Sequence, residues 1–255
     1  MILRGGYTND GKVVRVGETV RRPWRATSPS TAALLTHLER VGFDGAPRFL
    51  GRDEEGRETL SFIAGEAAIE PQQPWALTDE ALTSVARLLR AFHDAVATFD
   101  PSAHTWPEAV PERFRDGTIS HNDPNLDNVV FRDGEAVALI DFDIAKTASR
   151  VEEMFNAMLY WAPLGDPADA DPPLRGVDVP RRCRILADVY EMSGVDRSRL
   201  VEVAVLRTRR SWSRCGRSLW RRAAAGRACG GRASATGSSG ARRGSTATAR
   251  PSRRP

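Results

Sequence analysis

The chain has 255 residues, 41% of them hydrophobic, and a formal net charge of +4, enough apolar material for one large domain or two small lobes. No apolar run approaches the ~20 residues of a membrane span, no charged-then-apolar secretory pattern opens the chain, and Cys183, Cys215 and Cys229 have neither metal-ligand spacing nor the density of a disulfide framework; a cytoplasmic protein is expected. The net charge averages two unlike segments: the 53 residues after Glu202 hold 14 arginines and no acid, and setting those arginines aside leaves 23 basic against 33 acidic side chains, a balance of −10.

In chain order, Ile2-Leu3-Arg4-Gly5-Gly6 leads into a turn over Tyr7 to Gly11. Lys12 to Val16 and Glu18 to Arg22 then alternate apolar and charged residues about a turn at Gly17, the pattern of a small antiparallel sheet. The Gly5-Gly6 pair could let the backbone approach phosphates, and it also suits an ordinary turn. Pro29 to Val41 reads as a helix capped by Ser28 or Ser30, with Leu34, Leu35 and Leu38 inward. Phe49-Leu50-Gly51 and Thr59 to Ile63 read as two further strands joined by the charged turn Asp53 to Arg57. From Asp79 to about Ala97, Leu82, Val85, Leu89, Phe92 and Val96 recur at helical spacing, with Thr78 as cap and Asp79 and Glu80 at the positive end of the dipole. His93 on this helix has nothing nearby in sequence to activate it and reads as a packed or hydrogen-bonded histidine. Residues 100–118 form a Pro-rich connector.

The most informative stretch follows. Val129-Val130-Phe131 and Val137 to Ile140 are short apolar runs separated by Arg132-Asp133-Gly134-Glu135, whose Asp-Gly pair signals a tight hairpin. Antiparallel pairing returns the chain on itself, so Asn128 before the first strand and Asp141 after the second must meet at one end. Asp123 precedes Asn128 by five residues in a Pro-containing loop and can hang over the same point. Two carboxylates and an amide oxygen around one spot suit Mg²⁺, a hard cation that keeps waters and substrate phosphates as its other ligands. Phosphoryl transfer needs such an ion on the phosphates and a further acid beside the acceptor hydroxyl.

Glu152 to Tyr160 and Arg181 to Met192 read as amphipathic helices flanking a Pro- and Asp-rich loop at 163–180, and Ser198 to about Arg210 begins another. From Ser211 onward the chain is Arg, Ala, Gly and Ser without sustained periodicity, the composition of a disordered segment. Two origins fit it. One is a basic arm for nucleic acid or another anionic surface. The other is translation in a shifted frame of GC-rich codons, favoured by the scarcity of interleaved aromatics beyond Trp212 and Trp220 and by the interruption of an amphipathic helix.

His121-Asn122-Asp123-Pro124-Asn125-Leu126-Asp127-Asn128 together with Ile140-Asp141-Phe142-Asp143 resembles the catalytic and metal loops of the aminoglycoside phosphotransferase and choline kinase-like family. The resemblance implies a two-lobed, protein-kinase-like α+β fold, with a small antiparallel β lobe over 1–64, a mainly helical lobe over 65–210 and the basic tail over 211–255. Residue by residue, Asp123 matches the catalytic aspartate, His121 the histidine that braces its loop, and Asn128 and Asp141 the Mg²⁺ ligands, with Asp143 an auxiliary acid at the metal. Asn122 stands where the family commonly has Gly. A basic residue on the third strand grips phosphates in the family. Arg21 and Arg22 fall there, in place of the usual Lys, strand alternation admits only one, and Arg22 is the expected one; both also read as solvated surface arginines. The glutamate that often pairs with it near the start of the next helix is absent: the position falls near Thr31, and Glu39 lies two turns later. Ser61 to Ala64 corresponds to the hinge, where the backbone of Ser61 and Ile63 would hydrogen-bond adenine while the Phe62 and Ile63 side chains pack in the core. The later helices would frame the acceptor pocket, where Asp166, Asp169, Asp171 and Asp178 either attract a cationic acceptor or are merely solvated.

The expected function is transfer of the ATP γ-phosphate, with Mg²⁺, to a hydroxyl of a small molecule. Aminoglycosides, choline-like amines, sugars and amino acids all suit the family as acceptors. The alternatives are a catalytically poor kinase-fold binding protein whose basic tail engages a polyanion, and a metal-dependent hydrolase, disfavoured because only one histidine lies near the acids. No membrane partner is expected, and nucleic acid only through the tail.

Overall fold

The first β-hairpin forms where the alternating pattern and Gly17 place it. In the computed structural model, which describes residues 13–68, 73–107, 115–164 and 174–206, β1 (Val14–Val16) and β2 (Thr19–Arg22) pair antiparallel. β2 continues to β4 (Glu58–Ser61) and β4 to β3 (Phe49–Arg52), giving one antiparallel sheet of order β1-β2-β4-β3. Between β2 and β3 runs α1 (Ser28–Arg40), which buries the expected Leu34, Leu35 and Leu38 at 1% exposure or less. The helix starts one residue earlier than expected, with Thr27 at the cap position making no side-chain cap bond. Ser28 does not cap it; its hydroxyl accepts from the Arg25 amide at 3.0 Å and faces Glu58. Proline in the first turn supplies the helical φ, and burial of the leucine stripe substitutes for the missing cap.

The chain then enters a second sheet of order β5-β7-β8, built from β5 (Glu66–Ala67), β7 (Val129–Arg132) and β8 (Glu135–Leu139). Gly65 makes the approach possible, because a Cβ there would stand 2.5 Å from both the Phe131 oxygen and Val130 Cγ1. A third, two-stranded sheet pairs β6 (Ile119–Ser120) with β9 (Lys146–Thr147).

α2 (Asp79–Ala95) begins where its cap signal lies: the Thr78 hydroxyl accepts from the Ala81 amide at 3.1 Å. Leu82, Val85, Leu89 and Phe92 are completely buried, a contribution of roughly 1.5–3 kcal/mol each. The helix packs on β8 and on α4 (Val179–Val189), and its Ser84 hydroxyl accepts from the Ala136 amide of β8. α3 (Arg150–Trp161) and α4 start two residues before their expected positions, because the side chains of Ser149 and Asp178 cap them. Asp178 is thereby occupied as a helix cap rather than left to attract an acceptor. A last helix, α5, runs over 194–206, four residues ahead of the expected Ser198, with the Ser193 hydroxyl accepting from the Asp196 amide at 3.1 Å. One buried cluster extends from Leu34 and Leu60 through Leu89 and Phe92 to Phe142, Met154 and Trp161.

All these residues belong to the unit Met1–Leu206; the chain's second unit, Arg207–Pro255, lies outside the described residues, and with it the expected basic tail, Cys215 and Cys229. Gly5, Gly6, Asp166, Asp169 and Asp171 also lie outside them. Among the described residues no helix is long and apolar enough to cross a membrane.

Candidate active site

The catalytic-loop hairpin closes as its turn dictates. Arg132 pairs with Glu135 across Asp133-Gly134, both at positive φ (53° and 82°), the requirement of a two-residue turn that Asp-Gly satisfies. At the other end the Ile140 amide donates to the Asn128 oxygen at 2.9 Å, so Asn128 and Asp141 do emerge side by side. Asp123 joins them. Its backbone oxygen and its Oδ2 each accept from Asn128 Nδ2 at 3.0 Å, and its Oδ1 accepts from Asn125 Nδ2 at 3.2 Å. These bonds commit the Asn128 side-chain nitrogen to Asp123. Asp141 sits at φ 64°, a left-handed value that Asp tolerates better than most residues at some cost in strain.

His121 is fully buried and bridges two segments: Nε2 donates to the Ile140 oxygen at 2.9 Å, while Nδ1 accepts from the Asp123 amide at 3.3 Å. Phe142 stacks edge-on against the ring, with centroids 4.5 Å apart. The histidine thus ties the loop before Asp123 to the segment that carries Asp141.

A second support comes from α3 and was not legible in the sequence. Glu153, completely buried, accepts the His121 amide on Oε2 at 2.6 Å and the Asn122 amide on Oε1 at 2.7 Å. One helical turn on, Asn156 Nδ2 donates to the Asn122 oxygen and Oδ1, and at the helix end the Trp161 indole donates to the Pro124 oxygen at 2.7 Å. These three side chains face the loop and hold Asn122 at φ 71°, a conformation that explains why Asn or Gly is wanted there. Behind Glu153 lies His93, also completely buried, whose Nε2 is 3.4 Å from Glu153 Oε2 and whose Nδ1 is 2.7 Å from the Tyr190 hydroxyl. His93 is the hydrogen-bonded histidine its sequence context suggested. Burial alone would push the Glu153 carboxyl up, but the His93 hydrogen bond and ring, His121 and the Asn122 amide together hold it below the ordinary carboxylate range.

The cation of the site is Arg22. Its Nη1 lies 2.7 Å from Asp143 Oδ1 and 3.2 Å from Asp141 Oδ1, and its Nε lies 2.8 Å from Glu58 Oε1. The Nε contact is an ion pair too bent to be a hydrogen bond, since Nε has no hydrogen-bond partner. Arg25 adds a longer contact, Nε to Asp143 Oδ2 at 3.6 Å. Burial opposes the Arg22 charge, yet Asp143, Glu58 and Asp141 outweigh it and raise the guanidinium above its usual value. For Asp141 the balance runs the other way: burial and the neighbouring Asp143 charge push its carboxyl up despite Arg22. Strand alternation sends the two arginines to opposite faces, and Arg21 lies on the other one, 3.5 Å from Asp53. The acid that completes the cluster, Glu58, comes from β4 and not from α1.

At the expected hinge, the Ser61 amide is already bonded to the Arg48 oxygen and the Phe62 amide to the Glu18 oxygen. The Ile63 amide carries no such bond among the described residues. The Phe62 and Ile63 side chains are half-buried instead of core, and Phe62 is covered by the Arg15 guanidinium 3.5 Å from its centroid. The hinge is joined to the catalytic hairpin by Arg132, which donates to the Ala64 oxygen at 3.0 Å.

The chain is similar to known proteins at the level of family, sequence and structure. The profile of the phosphotransferase enzyme family matches residues 103–186, a span that includes the whole catalytic-loop hairpin. The trifolitoxin immunity protein of Rhizobium leguminosarum bv. trifolii is 36% identical over 205 residues, covering 78% of this chain and 76% of that protein. Among solved structures, a choline/ethanolamine kinase family protein from Mesorhizobium loti aligns with a TM-score of 0.53 at 16% identity, over 78% of this chain and 73% of that one. The ADP-bound aminoglycoside phosphotransferase APH(2'')-Ib aligns with a TM-score of 0.52 at 10% identity, over 75% and 80%.

Proposed function

The chain belongs to the phosphotransferase enzyme family and has its protein-kinase-like fold, and from that premise we propose that it transfers the γ-phosphate of ATP to a hydroxyl of a small molecule. The observation that carries this reading is the meeting of Asp123, Asn128 and Asp141 at the open end of one hairpin. Asp123, its carboxylate oriented by Asn125 and Asn128, accepts the acceptor's proton as that oxygen bonds to the γ-phosphorus; the bond from phosphorus to the β-phosphate oxygen breaks and ADP leaves. Arg22 draws the phosphates toward the first sheet, and the Ile63 amide receives adenine at the hinge with Ser61 beside it. A divalent ion fits the donor set. Among the described residues no three His, Cys, Asp or Glu side chains cluster to hold an ion by themselves, but the Asn128 side-chain oxygen and the Asp141 carboxylate are hard donors of the kind Mg²⁺ accepts alongside waters and phosphates. Asp143, held by Arg22 and Arg25, serves as the auxiliary acid. When bound, the ion neutralises phosphate charge.

The names of two relatives narrow the acceptor. One deals with aminoglycosides and the other confers immunity to a toxin, so a toxic compound bearing a hydroxyl is the favoured acceptor class. The immunity protein also favours a second reading, in which the chain protects by binding and turns over slowly. Incubating the protein with Mg-ATP and a panel of aminoglycosides, other hydroxyl-bearing antibiotics, choline-like amines, sugars and amino acids, with mass detection of an added phosphate, separates the two. Phosphorylated product at catalytic turnover is expected; tight binding of a panel compound without product would support the second reading.

A further inference from the structure

Arg22 and Glu58 stand directly opposite each other in the β2–β4 ladder, at 6% and 1% exposure. Sheet register therefore fixes the pair, since opposed residues keep their Cβ atoms a constant short distance apart. The stretch of α1 from which a partner acid would come contains none in its first turn. Glu58 is also poorly served by the fold around it. Its Oε2 is buried with no hydrogen-bond partner, and its Oε1 has only the Ser28 hydroxyl at 3.3 Å besides Arg22. A buried carboxylate with an orphaned oxygen opposes folding, so its presence is accounted for by what it does to Arg22. The guanidinium is contested, because Asp141 and Asp143 pull on Nη1 from the far side while Glu58 holds Nε.

We propose that Glu58 is the positioning residue for Arg22 in phosphate binding. It retains the guanidinium on the strand by its Nε edge, which keeps Arg22 from being drawn wholly onto Asp141 and Asp143, and leaves the Nη edge to share between those acids and the phosphates of the nucleotide. The role rests on the reading that Arg22 contacts those phosphates. Because the acid sits on a strand in fixed register, the pair does not depend on the position of α1.

Calorimetric titration of the full chain with Mg-ATP, and with adenosine as a phosphate-free control, tests this. Glu58→Gln keeps the shape and the Ser28 contact, and Arg22 keeps two acids, so the variant folds. Mg-ATP affinity is expected to fall about tenfold, the equivalent of one charge-assisted contact, with adenosine affinity unchanged. Glu58→Asp, which keeps the charge but shortens the reach, should lie between the two. In an Arg22→Met background the further Glu58→Gln change should cost nothing more. Wild-type Mg-ATP affinity in Glu58→Gln, an equal loss for adenosine, or a full additional loss in the Arg22→Met background would overturn the role of Glu58 alone. A wild-type chain that binds no Mg-ATP, or Arg22→Met binding it as well as wild type, would overturn the proposed function and this role with it.

Discussion

Replacing Glu153 by Gln tests how the catalytic loop is held. The carboxylate accepts two backbone amides, at 2.6 and 2.7 Å, from a completely buried position. An amide side chain offers one acceptor oxygen. Whichever way it turns, its NH₂ faces one of the two backbone N–H groups, which is then a buried donor without a partner. Losing one charge-assisted bond and orphaning its donor costs about 3 kcal/mol. For a folded unit of this size that corresponds to a fall in melting temperature of roughly 6–12 °C. The pH dependence has a definite sign. The Glu153 carboxyl lies below its ordinary range in the fold, so it contributes stability that is complete above the unfolded-chain value of about 4.3 and disappears as pH falls through the folded value. Glu153→Gln removes that contribution, so the variant should be less stable at neutral pH and show a flatter acid limb. Denaturant melts across the acid range, with turnover measured alongside, would show both effects, and kcat should fall at least ~10-fold because Asp123 follows Asn122. A melting shift below about 2 °C with the acid limb intact would refute the reasoning, since it would mean that the loop amides find other partners.

Three further outcomes are expected. Asp123→Asn should lower turnover at least ~100-fold with little change in ATP affinity, because the proton acceptor is lost and the shape is kept; steady-state kinetics and nucleotide titration check it. Asp141→Ala should abolish Mg²⁺-dependent nucleotide binding and Asn128→Ala should raise the Mg²⁺ requirement, read by calorimetry with and without metal; unchanged Mg-ATP binding in both would place the metal elsewhere. Deleting residues 211–255 should leave the melting temperature of the remainder little changed, given a segment so poor in apolar residues, and salt-sensitive nucleic-acid binding that disappears with the deletion would identify a basic arm; a large loss of thermal stability would contradict both origins considered for this segment.

The sequence by itself determined what depends on neighbours in the chain. The Asp133-Gly134 turn pairs Arg132 with Glu135 and returns the chain on itself, which brings Asn128 and Asp141 to one end of the hairpin, while a one-residue register shift between Val130 and Phe131 sets Asn128 opposite Ile140. Helical spacing and the Thr78 cap mark α2 almost to the residue, and strand alternation sends Arg21 and Arg22 to opposite faces, of which the structure turns Arg22 toward the acids. Local signals were less complete at the first turn of α1, where leucine burial replaces the cap, and at Phe62 and Ile63, whose apolar character suggested a core they only partly enter. The tertiary structure alone decided the partners of the buried charges. Glu58 reaches Arg22, Glu153 reaches the amides of His121 and Asn122, and His93 links Glu153 to Tyr190, each across many residues. A buried acid has no periodicity of its own, and in the sequence Glu58 and Glu153 look like any solvated glutamate. What distinguishes them is the loss of water on folding, which obliges each to find a cation or a donor, and which donor lies within reach is fixed only when the sheets and helices have packed.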